Sequence, residues 1–511
     1  MQNGIGSRMY KILKIFNNKY LLLTLLGLFC FFLACSSKTY DFDLYARLIV
    51  GEHFWSGLGI AYSDFLSYTP THYWYDHEWG SGVVFYAFLK LFGPVGLVFI
   101  HAITMFFTTF FVIKTHKLQK HAYPVSILYP VIFLLLFFHQ NPSTVRCHMF
   151  SFMFFAMFIY FLEKTRKYPN SNIMWFIPLI TVIWNNLHGG IVSGLGIIGL
   201  YILGDFIMRK PVKKYILVLA ASIPLLIINP YGIKYVTFLV SANMKSRPHI
   251  TEWMNLFVER HVRYYMPVFF GVIGGFTAAF INFIQSKNRD ITKIIMLVVT
   301  LYLSIMHVKL LSLSLIVVFA LCGNDIISLF RKKALRILET AAYICVIAAI
   351  FYIPVLKPFE ARLIDYKLPF YETEFIKMNN LKGNLFTMFG YGSYVSYKLF
   401  PDNLIFMDGR YEEVYNDKEF DVLINFERKA GTWDEMFTKY PTEIIMVSAS
   451  VPAYYFMKNN QAWSEVYKGP LCGVFVKKEN KKNVYLYPTR DINYYKNNHF
   501  DSDGKFGRKY E

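Results

Sequence analysis

Two carboxylates stand two residues apart at Asp41-Phe42-Asp43, directly after the first apolar stretch of the chain. Such a pair can take a proton from a hydroxyl group, hold a divalent cation, or do both. The plainer explanation is a helix start, where acidic charge is favourable. A second acidic group, Asp76-His77-Glu78-Trp79, follows the aromatic run Tyr73-Trp74-Tyr75. His77 and Glu78 could complete a cation site with Asp41 or Asp43, or hydrogen-bond a sugar. A belt of interfacial rings with solvated charges would account for the same residues without chemistry. Asp43, Asp41 and Glu78 are therefore the candidate catalytic residues, and Asp41 is the candidate metal ligand if an ion binds. No cofactor beyond that divalent cation is suggested.

Polar clusters recur where other apolar stretches end: Asn141-Pro142, Arg146-Cys147-His148, Trp184-Asn185-Asn186-Leu187-His188-Gly189-Gly190, Asn229-Pro230-Tyr231-Gly232, Glu252-Trp253 and His307-Val308-Lys309. Any one of them is more commonly a satisfied turn than a ligand. Together they suggest a cavity lined by several helix ends. Arg146, His148, Asn185, His188 and Lys309 join His77 as candidate substrate-binding residues. Arg410 is added from Met407-Asp408-Gly409-Arg410, although Asp-Gly is first of all a turn signal.

The elements that must hold these residues are membrane helices. Of 511 residues, 55% are hydrophobic and 19% aromatic, and only 17% are charged. Soluble domains have about 45–50% apolar and about 25% charged residues. Apolar stretches near 20–36, 94–113, 122–138, 148–162, 173–187, 190–208, 215–229, 264–285, 292–307, 311–329 and 337–356 give about eleven spans, several below the roughly 20 residues of a straight crossing. The segment Trp79–Phe92 suits a re-entrant or interfacial helix.

Lys and Arg mark the cytoplasmic side. They occupy the N-terminus (Arg8, Lys11, Lys14, Lys19) and alternate loops at Lys114/Lys117/Lys120, Lys164/Arg166/Lys167, Arg209/Lys210/Lys213/Lys214, Lys287/Arg289/Lys293 and Arg331/Lys332/Lys333/Arg336. The N-terminus is then inside and the C-terminal region outside, with every polar cluster named above on the outer face. This topology accounts for much of the net charge of +19 and excludes a nucleic-acid reading of it. The first stretch reads as an uncleaved span rather than a removed signal. Asp205 and Asp325 lie close to inner loops, where headgroups can solvate them. Cys147 and Cys472 both fall outside, where a disulfide is permitted.

The expected organisation is a cytoplasmic basic N-terminus (1–19), a transmembrane module (20–356) containing an outer loop (38–93), an extracytoplasmic domain (357–478) and a flexible tail (479–511). In the loop, Asp41–Trp55 reads as a short amphipathic helix at the membrane surface, with Leu44, Leu48 and Trp55 on one side. In the outer domain, strand-like runs at Asn384–Phe386, Leu404–Met407, Glu443–Ser448 and Gly473–Lys477 alternate with helical stretches near Glu372–Asn379, Lys418–Arg428 and Ala453–Gln461. That alternation predicts a small α/β layer.

Asp43-Leu44-Tyr45, Gly51-Glu52, Asp64-Phe65-Leu66-Ser67-Tyr68-Thr69 and His77-Glu78-Trp79 resemble the first outer loop of bacterial polytopic proteins of the GT-C glycosyltransferase superfamily. Arg146…His148-Met149-Phe150, Trp184-Asn185…His188-Gly189-Gly190 and Asp408-Gly409-Arg410 resemble the same group. The likeness spans roughly 40–310 and 383–475. Where relatives often carry His four residues after the Asp, this chain has Arg47.

The resemblance implies a polytopic α-helical, GT-C-like membrane protein whose first-loop acid is catalytic and whose sugar donor is a lipid phosphate. The expected reaction transfers a sugar from a polyprenyl-phosphate-linked donor to an envelope glycan, lipid or protein acceptor, at the outer face of the inner membrane. Asp43 would be the base, and Arg146, Lys309 and Arg410 would offset charge on the departing phosphate. In-line attack would invert the anomeric centre. Two other classes remain open. A transporter or flippase of a lipid-linked precursor should show repeats and buried midplane charges, and a non-catalytic scaffold presenting the C-terminal domain leaves the loop acids without a task.

Overall fold

The computed structural model describes residues 19–36, 41–119, 127–141, 145–245, 247, 250–287, 289–356 and 367–479. The expected basic N-terminus before Lys19 and the expected tail after Glu479 lie outside the described residues, as do Lys38, Lys120 and Pro142. The chain divides into two compact units, Met1–Ser37 with Val98–Phe359, and Lys38–Leu97 with Glu360–Glu511.

The first unit is helical. Pro94–His116, His261–Gln285 and Lys333–Ile353 are long and apolar enough to cross a membrane, and shorter apolar helices include Tyr20–Ser36, Leu128–Gln140, Ile191–Ile207 and Ile291–Met306. A helix stands at each expected span, but Pro224 falls in the last turn of Lys213–Leu225, and Leu311–Leu321 ends before a separate short helix, Gly323–Ser328.

The acids near the expected inner loops differ from expectation. Asp205 and Asp325 are not exposed to headgroups; both are buried. Arg166 donates to Glu163, Asp205 and Asp290, each at 2.9 Å, and Thr292 donates to Asp205 at 2.8 Å. Lys293 pairs with Asp325, which also accepts from Asn282. A buried carboxylate needs such partners because leaving it unpaired costs far more than leaving it in water. Gly204 permits the arrangement: a Cβ there would stand 2.5 Å from Thr292 Cα, so helices Ile191–Ile207 and Ile291–Met306 meet backbone to backbone.

The second unit combines the expected outer loop with the C-terminal region. Helix Leu44–His53 is not the one-sided surface helix that its pattern suggests, because every residue from Leu44 to Gly51 is buried. Its neighbour is helix Trp79–Phe92, and the two cross at glycines. A Cβ on Gly51 would lie 2.2 Å from the Gly82 carbonyl oxygen, and one on Gly82 would lie 2.5 Å from that of Arg47. Close approach of this kind is a recurring use of glycine between helices. The other side of Leu44–His53 packs on helix Gly392–Leu399, where Tyr45 meets the rings of Tyr394 and Tyr397 at 5.0 and 5.6 Å.

The C-terminal part is a small α/β layer. Strands β1 (Leu385–Thr387), β2 (Ile444–Ser448), β3 (Trp463–Lys468) and β4 (Cys472–Lys477) form one sheet in the order β1-β2-β4-β3, with β1 parallel to β2 and the other pairs antiparallel. Helices Phe370–Met378, Asp417–Arg428 and Pro452–Asn459 lie close to their expected places. Strand β3 was not expected. Its burial alternates irregularly and a bulge separates Glu465 from Tyr467, which blurs the period-two pattern. Apolar side chains including Phe375, Leu385, Ile405, Ile444, Val474 and Val476 make the core.

The expected strand at 404–407 is an extended segment bonded on both flanks. Ile405 donates to the Leu66 carbonyl at 2.9 Å and its own carbonyl accepts from Tyr68 at 3.0 Å, while on the other side Phe406 donates to Leu385 at 3.1 Å. The loop residues 66–68 thus extend the sheet beyond β1. The disulfide considered for Cys147 and Cys472 is absent; among the described residues no cysteine is in a disulfide.

The glycine crossing yields a prediction. Gly82→Leu must separate helices Leu44–His53 and Trp79–Phe92, at a cost of at least about 1–3 kcal/mol typical of overpacking. Thermal unfolding in detergent should show a lower midpoint than wild type, whereas an unchanged midpoint would refute the close approach.

Candidate active site

Burial of one guanidinium organises the acidic side of the second unit. Arg47 is 3% exposed. It pairs with Asp76, lies 3.1 Å from Glu413 through Nη2, and places Nε 3.5 Å from Glu78. Three carboxylates therefore surround one cation. Trp74 Nε1 donates to the same Glu413 oxygen at 2.8 Å. The other oxygen of Glu413 is 3.0 Å from His77 Nδ1, and His77 Nε2 is 3.8 Å from Glu78. His77 and Glu78 are thus fixed just before helix Trp79–Phe92 by charges that come from three segments of the chain.

These charges act on one another. Burial pushes the Asp76 carboxyl up to about 6, against the pull of Arg47 and with the repulsion of Glu413. Burial also opposes ionisation of Glu413, but Arg47 and His77 outweigh it and hold that carboxyl below its usual range.

A second buried arginine fixes the adjoining turn. Arg410 Nη1 donates to Asp64 at 2.6 Å, Nε donates to Asp408 at 2.9 Å, and Nη2 reaches Tyr415 Oη at 3.1 Å. Its guanidinium also stacks 4.7 Å from the Trp74 ring centre. The side chain is 1% exposed. The sequence suggests Arg410 as a phosphate ligand; the geometry commits its donors to Asp64, Asp408, Ser67 and Tyr415 instead. It is a clamp between loop 64–74 and turn 408–415.

Asp43 lies at the start of helix Leu44–His53. Asp41 accepts the Asp43 N–H at 3.0 Å, so Asp41 closes the turn that begins the helix. That fits the helix-start explanation of the acidic pair, and it places one oxygen of the suggested metal ligand on the backbone. Among the described residues Asp76 Oδ2 is buried without a hydrogen-bond partner, while Asp76 Oδ1 accepts the Glu78 N–H at 2.8 Å. The Asp43 carboxylate lies against Gly409, where an added Cβ would stand 2.2 Å from Oδ1.

In the helical unit the structure brings together Arg146, His148, His188 and Lys309. Arg146 grips Glu252 with two bonds of 2.8 and 2.7 Å, and Lys309 is 3.5 Å from the same carboxylate. Burial opposes the charge on Glu252, yet Arg146 and Lys309 hold its carboxyl well below the ordinary range. The charges of Arg146, Lys309, His188 and Glu252 all act on His148. Trp253 carries Arg247 on its ring at 4.3 Å and Lys309 at 5.3 Å. His188 Nδ1 accepts from Gly190 N–H at 3.0 Å and lies 2.7 Å from Ser151 Oγ, which in turn accepts from Trp184. Asn185 differs from the others. It is buried, and its amide donates to the Leu226 carbonyl at 3.0 Å, so within its unit it ties helix ends together.

The sequence analysis missed Glu413, Asp408, and Arg47 as a hub. The available signal was the departure at Arg47: a full positive charge inside an apolar helix must find carboxylates.

No protein-family model and no curated protein sequence matches the chain. Solved structures do. The oligosaccharyltransferase of Archaeoglobus fulgidus, tethered to an acceptor peptide, matches with TM-score 0.54 at 11% identity over 84% of this chain and 69% of that one. ArnT from Cupriavidus metallidurans, bound to undecaprenyl phosphate, matches with TM-score 0.52 at 11% identity over 89% of this chain and 97% of that one. The arabinofuranosyltransferase AftD from Mycobacteria matches with TM-score 0.50 at 11% identity over 89% of this chain and 41% of that one. All are GT-C fold glycosyltransferases, and this chain is GT-C-like in fold.

Because the Asp76 carboxyl holds its proton more tightly folded than unfolded, its ionisation opposes folding above about pH 6 and lowering the pH relieves that cost. Glu413 acts oppositely, contributing stability above its unfolded value of 4.5 that is lost on further acidification. The unfolding midpoint should therefore be nearly flat above about pH 6.5, rise as pH falls through about 6 toward about 4.5, and decline on further acidification as Glu413 takes up its proton. Asp76→Asn should abolish the rise and keep the decline. A rise that survives in Asp76→Asn would remove this account of the cluster. Arg47→Met should cost about 3–5 kcal/mol in chemical unfolding, as expected when buried carboxylates lose their cation.

Proposed function

We propose that the protein is a membrane glycosyltransferase that moves a sugar from a polyprenyl-phosphate-linked donor to an extracytoplasmic acceptor. The observation that carries this reading is the Asp43 carboxylate at a buried helix start, backed by the Gly409 turn, in a chain of GT-C-like fold. ArnT, matched over 97% of its length, binds undecaprenyl phosphate, and such a carrier suits the apolar helices here. The orientation that goes with it has about eleven spans, with the N-terminus inside and the acidic unit outside, as the basic loops require.

In the proposed reaction Asp43 accepts the proton of the acceptor hydroxyl while that oxygen attacks the anomeric carbon. The bond from the anomeric carbon to the phosphate oxygen breaks, and polyprenyl phosphate leaves with the electron pair. Direct displacement inverts the anomeric centre. The departing phosphate gains charge and needs cations more than an acid. Arg146 and Lys309, two cations that meet at Glu252, are the proposed phosphate-facing groups. His77 and Glu78 are proposed to contact the sugar. A divalent cation at Asp41 or its neighbours would add charge stabilisation, and no step above depends on one.

Membranes containing the protein, given a panel of polyprenyl-phosphate-linked sugars, should release free polyprenyl phosphate. Asp43→Asn should lower that release by about 10²–10⁴-fold, the range for a lost general base, while insertion and unfolding midpoint stay as in wild type. Equal release by wild type and variant would refute Asp43 as the base. NMR of the product linkage should show inversion, and retained configuration would exclude single displacement.

A further inference from the structure

We propose that turn Asp408–Glu413 is a positioning element of the transfer site, in which Gly409 seats the Asp43 carboxylate and Glu413 fixes the His77 ring. This rests on the reading of Asp43 as base and His77 as a sugar contact, and it assigns the C-terminal region a part in the reaction itself.

The turn is held rigidly. Arg410 is clamped between Asp64 and Asp408 and stacked on Trp74. Glu413 and Val414 N–H both donate to the Arg410 carbonyl, at 3.0 and 3.3 Å, and the Val414 carbonyl accepts from His72 at 3.0 Å. Behind the turn, Gly392 comes so close that a Cβ would lie 2.2 Å from the Met407 carbonyl oxygen. A turn fixed on so many sides cannot retreat when something is added to it.

Gly409 is a glycine for its neighbour's sake. It is absent from the glycines of positive φ, so its backbone conformation is open to any residue. The space where a methyl would go is filled by Asp43 Oδ1, and the next atom beyond the carboxylate, Ser393 Oγ, is 3.6 Å away. The flexible partner in that contact is the Asp43 side chain, so any residue larger than glycine moves the base and leaves the turn where it is.

Glu413 divides its two oxygens. One takes Arg47 and Trp74, which anchors the side chain in a site 3% exposed. The other faces His77 Nδ1 at 3.0 Å. The charges around His77 in this unit are Glu413, Glu78, Asp76 and Arg47. Glu413 faces Nδ1 at 3.0 Å while Glu78 lies 3.8 Å from Nε2, so Glu413 holds the Nδ1 edge of the ring. This is how a carboxylate orients a functional histidine in many sites.

The test uses the full chain in membranes with the donor panel. Gly409→Ala should lower kcat by about 100-fold, the cost of displacing a catalytic group by roughly 1 Å, with KM for the donor within twofold and an unchanged unfolding midpoint. Glu413→Gln, which keeps the shape and removes the charge facing His77 Nδ1, should raise KM by about tenfold. In a His77→Gln background Glu413→Gln should add nothing, because both act through the same contact. Full activity in Gly409→Ala, or additive effects of Glu413→Gln and His77→Gln, overturns the proposal. A readout independent of transfer is the carbethoxylation rate of His77 by diethyl pyrocarbonate at pH 7, resolved by mass spectrometry. It should change several-fold in Glu413→Gln, and an unchanged rate overturns the His77 assignment whether or not transfer is seen. If wild type consumes no donor while this rate does change, the transferase reading fails and the Glu413–His77 pairing stands.

Discussion

Two arginines buried among carboxylates determine how the second unit is built. A guanidinium keeps its charge at any physiological pH, and its removal from water must be offset by acids with good geometry. Arg47 finds Asp76, Glu78 and Glu413, and Arg410 finds Asp64 and Asp408. Each set draws on both the loop after residue 41 and the region after residue 404. Each arginine takes one carboxylate or more from its own segment and one from the other, Glu413 for Arg47 and Asp64 for Arg410, so the two segments fold as one body around them. The chemistry proposed for this unit, a base at Asp43 and a sugar contact at His77, depends on that joint construction.

The helical unit also gathers its buried charges into clusters. Glu252 is held by Arg146 and Lys309, and Asp205 and Asp290 are held by Arg166. The first cluster sets Arg146 and Lys309 on Glu252 beside Trp253. The second gathers three carboxylates on Arg166 and fastens helices Ile191–Ile207 and Ile291–Met306 through Asp205 and Thr292.

Much of this was legible in the sequence wherever the signal is local. Apolar runs located the helices, and composition separated the membrane module from the α/β layer. Strand β2 is legible as a short apolar run, and the helices Phe370–Met378 and Asp417–Arg428 as helical stretches that alternate with such runs. What stayed hidden depends on partners distant in the chain. Segment 404–407 looks like a strand, but nothing near it in sequence reveals that Leu66 and Tyr68 are its neighbours on one flank. Leu44–Gly51 reads as a surface helix because Leu44, Leu48 and Trp55 fall on one side; the carboxylates that accompany the buried Arg47 lie farther along the chain, Asp76 and Glu78 in the same loop and Glu413 366 residues later. Arg410 looks like a ligand for phosphate until Asp64 is brought beside it. Local pattern thus singled out polar groups but not which of them neutralise one another.

The central claim is that loop 41–93 and the region after residue 367 form one body that carries the base. The most direct test is a disulfide between Ser67→Cys and Ile405→Cys, which stand opposite each other in a parallel bridge, at the close backbone spacing a disulfide requires. The account predicts rapid, near-complete bridging in intact membranes under mild oxidation, with the unfolding midpoint kept or raised. Two thiols that each react with a small maleimide but never bridge would contradict it.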